Sequence, residues 1–474
     1  MNTFQRKTIV LAVFGALAVA GCGGGSSSST GSTAGAGVKH TGVITGFGSV
    51  FVNGVEYETG SSSVMLDGVA GKDSNLKIGM VVTVEGSVNK DGLHGTATSI
   101  NYADELEGIV TATNIAADGT GTLTVMGQIV TIDAATVFES KVTSIATIGA
   151  VAAGNIVEIS GYSSGTGTIL ATRVEVKKAA LEAGEEIELK GVIAGLDATA
   201  QTFMLGALMV HYGDAKVEHT LADGLYVEVK STTAPVNGML TASKVEVEGD
   251  GKKGVDGKSG DEFELEGVVS TVNSAKTEFV LNGQTVLVDS GTAFKNGSVD
   301  GIVVDAKLEV EGALNADGKL VADEIKFRHE GSIKIKANVE AIDTTAGTIT
   351  VLGQTVIVNS LSMVIGKQDD EVKHDFSLST LAVGDSVSLH IAIENGKLVA
   401  TKLEHDDHDN STPSVKLEGP VTAISGTTQV TIAGITVELS TLLDMTTVQV
   451  GDKLEITGLF SNGVLTANTA KIDD

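Results

Sequence analysis

The side chains best placed to do chemistry are histidines set among aspartates. The run "HDDHD" spans His405 to Asp409, and His374 and His390 precede it in the same stretch of chain. Imidazole and carboxylate together suit a divalent transition metal, which makes His374, His390, His405, Asp406 and His408 a candidate ligand set. That set overlaps "EHDDHDNSTP" (Glu404 to Pro413), a polar, turn-forming stretch that reads as a linker with no neighbouring element to fix the ligands. A solvated loop is therefore the preferred reading, and a metal site the alternative.

Other chemistries find less support. "NKDG" (Asn89 to Gly92) and "NADG" (Asn315 to Gly318) are similar to the opening of a calcium loop, but both lack the glutamate at the twelfth position and both fit hairpin turns. No serine occupies a G-x-S-x-G elbow between a strand and a helix, and "GGGSSSS" (23–29) lacks the lysine and following helix of a phosphate loop. The chain reads as a non-enzyme without a cofactor of its own.

Cys22 is the only cysteine, so no disulfide can form within the chain. It follows Arg6, Lys7 and an apolar stretch from Ile9 to Ala20, the pattern of a signal peptide over 1–21. That stretch is short for a membrane-spanning helix. "VAGC" (Val19 to Cys22) resembles the lipobox of bacterial lipoproteins. The resemblance implies a mature N-terminus at Cys22 carrying covalent lipid, palmitate included, as its membrane anchor. Several acyl chains at about 0.8 kcal/mol per buried methylene would hold the chain stably. Glycine rather than aspartate at position 23 points, by the same resemblance, to the outer membrane, facing either the periplasm or the cell surface. Residues 22–37 form an uncharged Gly/Ser-rich tether.

The elements that must position any site come next. The net charge of −28 becomes −30 once the first 21 residues, whose only charges are Arg6 and Lys7, are removed. Such a surface repels phosphate backbones, so no nucleic-acid partner is expected. With 59 glycines, 3 prolines and 42% hydrophobic residues, the chain should fold into several small, turn-rich cores.

Six turn glycines, Gly54, Gly127, Gly206, Gly283, Gly353 and Gly434, recur at spacings of roughly 70 to 80 residues, which signals a tandem array. Around five of them apolar side chains keep one parity across the turn. Val50, Val52 and Tyr57 do so in the first copy, Leu123, Val125, Val130 and Ile132 in the second, and Phe279, Leu281, Val286 and Val288 in the fourth. The fifth offers Ile349, Val351, Val356 and Val358, and the sixth Val430, Ile432, Val437 and Leu439. The third, "TFMLGALMVHYG", leaves its register open. Asn53-Gly54 and Asn282-Gly283 suit two-residue hairpins, whereas Met126-Gly127, Leu352-Gly353 and Ala433-Gly434 suggest a type II turn or a longer loop.

Each copy adds a strand upstream ("ELEGIV", "KLEGPV") and two downstream ("GDKLEITG", then "VLTANTAKI"), with a less regular segment after the hairpin that fits a single helical turn. The expected fold is all-β: about six small five-stranded OB-like Greek-key barrels in tandem, after a signal peptide and flexible linker. A string of sandwiches and an extended β-solenoid remain alternatives. "GVITGFGSVFVNGVEYET" with the repeated "ELEG" and "VEVEG" signatures resembles the bacterial domain-of-unknown-function family 5666, OB-like repeats on exported lipoproteins. The resemblance covers about Val38 to Asp474, implies no catalytic residues, and is weakest in the third copy. Boundaries follow at 38–103, 104–180, 185–249, 262–329, 331–404 and 414–474, with linkers at 250–261 and 405–413.

The aromatic content of 4% and the tight turns between the last two strands weaken a sugar- or nucleic-acid-binding reading. The expected function is that of a non-enzymatic envelope lipoprotein whose modules act as spacer or protein-interaction surface toward an envelope or surface partner. Alternatives are a metal- or small-ligand-binding lipoprotein centred on the fifth copy, and a surface adhesin.

Overall fold

The computed structural model describes residues 38–473 apart from breaks at 91, 118, 165–167, 249–253, 329–330, 360–361, 369–370, 374–375, 395, 407–414 and 441. Cys22, His374 and His408 lie outside the described residues. Everything below concerns the compact unit Ala34–Asp474.

Each copy, here called a module, closes on itself by one rule, clearest in module two. Its first strand (Leu106–Ile115) pairs antiparallel with the second (Gly121–Val125) and the fourth (Ile156–Ser163). The third (Gln128–Ser140) pairs with the second and, in parallel, with the fifth (Thr168–Lys178), which pairs with the fourth. Five strands thus form a closed barrel, as the Greek-key expectation requires, and the outer edge of the first strand at Leu106 and Glu107 is left to pair with another module. Single 3-10 turns at Asp73–Asn75, Ile148–Ala150 and Val299–Gly301 fill the irregular segment of modules one, two and four.

The expected parity holds. Val50, Val52 and Tyr57, and Phe279, Leu281 and Val286, are all buried. Module three joins them with Phe203, Leu205, Leu208 and Val210 inward, which fixes the register its sequence left open. A glycine repeated in the fourth strand has a steric cause. At Gly86, Gly161, Gly312 and Gly458 the register slips by one residue, and a Cβ there would lie 2.0–2.2 Å from a carbonyl oxygen of the fifth strand.

The turns depart from expectation. Met126-Gly127, Leu352-Gly353 and Ala433-Gly434 close two-residue hairpins with positive φ at both positions, just as Asn53-Gly54 and Asn282-Gly283 do. Left-handed backbone costs a residue with a β-carbon about 1–2 kcal/mol. Burial offsets it: Met126, Leu352 and Ala433 are all enclosed by apolar side chains.

That enclosure comes from pairing between modules. The first strands of modules two and three pair antiparallel (Glu107↔Glu188, Leu106↔Leu189), as do those of modules five and six (Lys334↔Glu418, Ile335↔Leu417, Lys336↔Lys416). Each pair shares one apolar core. Hairpin tips meet across each pair, with Gln128 Nε2 donating to the Leu205 carbonyl at 2.9 Å and Gln354 Nε2 to the Gly434 carbonyl at 3.3 Å. Modules one and four pair differently, through a parallel seam of Val38–Gly46 with Glu262–Val272, and keep separate cores. A hub of Val43, Ile78, Val137, Tyr162, Val268, Met363 and Ile365 fastens modules one, two, four and five together.

Candidate functional site: a cleft on the seam of modules five and six

In the first strands of modules five and six, "KIK" (Lys334 to Lys336) and "VKLEG" (Val415 to Gly419), Ile335 and Leu417 point into the cores, so by alternation their neighbours point out. Across four strands the outward residues form two registered rows. One reads Glu418, Lys334, His390, Lys402, and the other Lys416, Lys336, Ser388, Glu404. Lys336 and Lys416 stand directly opposite each other across the seam, a like-charge pairing that sheets normally avoid. Lys334 reaches Glu418 at 3.2 Å, Lys402 reaches Glu404 at 3.0 Å, and Lys416 reaches Glu455 at 3.0 Å.

This surface forms the floor of a cleft of about 760 Å³, within the range of small-molecule sites. The opposite wall belongs to module two, with Phe138, Val142 and Ile148 half-buried among the hydroxyls of Ser140, Thr143 and Thr147. A smaller cavity of about 110 Å³ lies at the junction of modules one, two, four and five, and Asp133 and His390 line both spaces. His390 Nδ1 is buried and has no hydrogen-bond partner among the described residues. Burial pushes its imidazole down to about 4, with the Lys402 ammonium acting in the same direction.

The sequence singled out His390 for another reason. It stands opposite Lys402 on the outer face, while His405 stands opposite Val387, whose side chain is in the core. His405 stacks on Phe376 at 5.0 Å and pairs with Asp385 at 3.4 Å. The two described histidines therefore project to opposite faces of one hairpin. Asp406 ends the strand that carries His405, and His374 and His408 lie outside the described residues. The lysine rows went unnoticed in the sequence, although the contrast of "KIK" with "ELEG" and "ELKG" elsewhere was a readable signal.

Other titratable clusters fasten modules together. Asp67, Asp104 and Glu188 place carboxylate oxygens within 4.8 Å of one another, the arrangement among the described residues that could accept a cation. The ammonium of Lys190 already lies there, 2.8 Å from Asp104 and 3.9 Å from Asp67, so the cluster ties modules one, two and three. Arg173, 1% exposed, donates to Glu175 at 2.8 Å and Glu139 at 2.5 Å, and reaches the Ile78 carbonyl of module one at 3.4 Å. Thr172 Oγ1 donates to the Gly79 carbonyl at 2.6 Å, and Tyr102 to Glu158 at 2.8 Å.

Six closed five-stranded barrels joined in tandem define a β-barrel repeat protein. The chain belongs to the family described as Domain of unknown function (DUF5666), whose model matches residues 41–101, 107–175, 180–246, 266–326, 336–404 and 418–469. Among curated proteins none matches the chain.

Proposed function

We propose that the protein is a non-enzymatic, lipid-anchored envelope platform whose paired barrels present an interaction surface. The observation that carries this reading is the pairing itself. Shared seams and a common apolar hub make the modules one compact body, which suits a broad docking surface better than an extended spacer. The buried Asp104, Lys190 and Arg173 are spent on module contacts, and the net charge of −28 suits a soluble exterior that contacts polar partners. The anchor rests on "VAGC" at Val19 to Cys22, and among the described residues no helix is long and apolar enough to cross a membrane.

Two measurements test the reading. Cys22→Ser should move the protein from the membrane to the soluble fraction and abolish palmitate incorporation, and retention of both would sink the anchor. Crosslinking in intact cells followed by mass spectrometry should capture a reproducible envelope partner, and recovery of the protein uncrosslinked at every reagent length would sink the platform. Calorimetry of the Ala34–Asp474 unit with zinc, copper and nickel addresses the metal alternative, which needs saturable heat at micromolar ion to stand.

A further inference from the structure

We infer that the cleft between module two and the outer face of the module five and six seam binds a small amphipathic organic anion, its oxyanion on the lysine rows and its apolar body against the facing wall. Three independent features point to that chemistry. First, in a chain with 60 acidic against 32 basic residues, four lysines stand on one face of one seam, with Lys336 and Lys416 in direct opposition. Like charges in register destabilise a sheet; Glu455, 3.0 Å from Lys416, offsets part of that repulsion, and an anion seated between the two ammonium groups would offset more of it. Second, the opposite wall is of another character: Phe138, Val142 and Ile148 offer apolar surface, and the exposed Thr143 and Thr147 line it beside them. A ligand filling the cleft must satisfy both walls, which a bare inorganic ion cannot do. Third, the cleft reaches His390, whose buried Nδ1 lacks a partner among the described residues and whose ring, neutral at pH 7, offers one donor and one acceptor nitrogen. The ring can receive a hydroxyl or amide N–H from the ligand's inner end.

The acidic side chains in the cleft set limits. Glu404 and Glu418 lie in the same rows, and Asp133 and Glu139 on the module two side, so the floor is a patterned surface of both signs. Such a surface selects one anionic group held between Lys336 and Lys416 and disfavours a polyanion, which would meet the glutamates at either end.

The test uses the Ala34–Asp474 unit, which contains every described core. Decanoate, below its micelle concentration, serves as the amphipathic anion, decanol as its uncharged analogue and inorganic phosphate as the plain ion. Calorimetry should show saturable one-to-one binding of decanoate, at least tenfold tighter than either control and weakened by added salt. The double variant Lys336→Glu with Lys416→Glu should lose at least tenfold in affinity. Should that variant misfold by circular dichroism, Thr143→Trp, in an exposed segment of the opposite wall, should block binding with the floor intact. Absence of saturable decanoate binding, equal binding of decanol or phosphate, or indifference to both variants overturns the proposal.

Discussion

The seam of modules two and three and the seam of modules five and six are built alike yet carry opposite charge. Both join first strands antiparallel, share one core and bring hairpin tips together through a glutamine. The outward row of the first reads Glu175, Glu158, Glu107, Glu188 before reaching Lys230, whereas the second reads Lys402, His390, Lys334 before reaching Glu418. What lies over each differs accordingly. Module one covers part of the acidic row, with Tyr102 on Glu158, while the basic row faces the cleft. Backbone pairing is thus set by the apolar inner face, which leaves the outer face free to specialise.

The sharpest way to break the comparison is at Arg173, beside the acidic row. Arg173→Met should destabilise the protein by about 3–5 kcal/mol, because Glu139 and Glu175 would lose their shared cation in a largely buried site. Chemical denaturation would show it. A loss below about 1 kcal/mol would mean that Lys141, which also pairs with Glu175, suffices alone.

The bulge glycines test whether the seams share one backbone. Gly458→Ala and Gly161→Ala, one in each pair, should each cost about 2–3 kcal/mol, since a Cβ would meet a carbonyl oxygen at 2.2 Å. Gly60→Ala, with open space around the site, should change stability by less than about 0.5 kcal/mol. Module five sharpens the point, because Ile391 takes the place of glycine opposite Ala400. The other four bulges leave no such room.

The parallel seam of modules one and four should answer to pH instead. His40 Nδ1 and Glu264 lie 3.0 Å apart, and burial dominates both groups. It lowers His40 to about 4 and raises Glu264 to about 7, Lys326 opposing and Glu311 adding to the second shift. A raised carboxyl contributes stability that is complete below its unfolded value near 4.5 and is lost as pH climbs through about 7. Glu264→Gln should therefore stabilise the protein by about 1–3 kcal/mol at pH 8, with the gain shrinking toward pH 5. His40 acts in the opposite sense, its contribution present above about 6.5 and lost as pH falls through about 4. Thermal melts of parent and variant across pH 4–8 would separate the two, and a gain constant across that range would contradict the assignment to Glu264.

The smallest effect concerns the hairpin tips. Met126→Asn should relieve left-handed strain of about 1–2 kcal/mol but forfeit about 1.5–3 kcal/mol of burial, for a net loss near 1 kcal/mol. A net gain would mean that the tip is not held by the paired module.

Much of the module was legible in the sequence because parity across a turn is a local property. Phe279, Leu281 and Val286 declare an inner face whatever lies beyond it. Turn type was not legible at Met126, Leu352 or Ala433, because the burial that offsets positive φ comes from another module. The repeated fourth-strand glycine stood out as a signature, but its cause, a carbonyl one strand away, required the register. For the site, His390 was singled out and the lysines were not. Their meaning depends on which first strands become neighbours, and nothing local to "KIK" states that its partner is "VKL" eighty residues later.

The parallel seam also sets an order of events. Module one emerges first from the ribosome, yet its strand Val38–Gly46 has no intermodule mate until module four has been made, with two whole barrels intervening. Until then the edge at Lys39 to Thr41 lacks its neighbour, so a nascent chain carries there an open strand border on which wrong pairing can start.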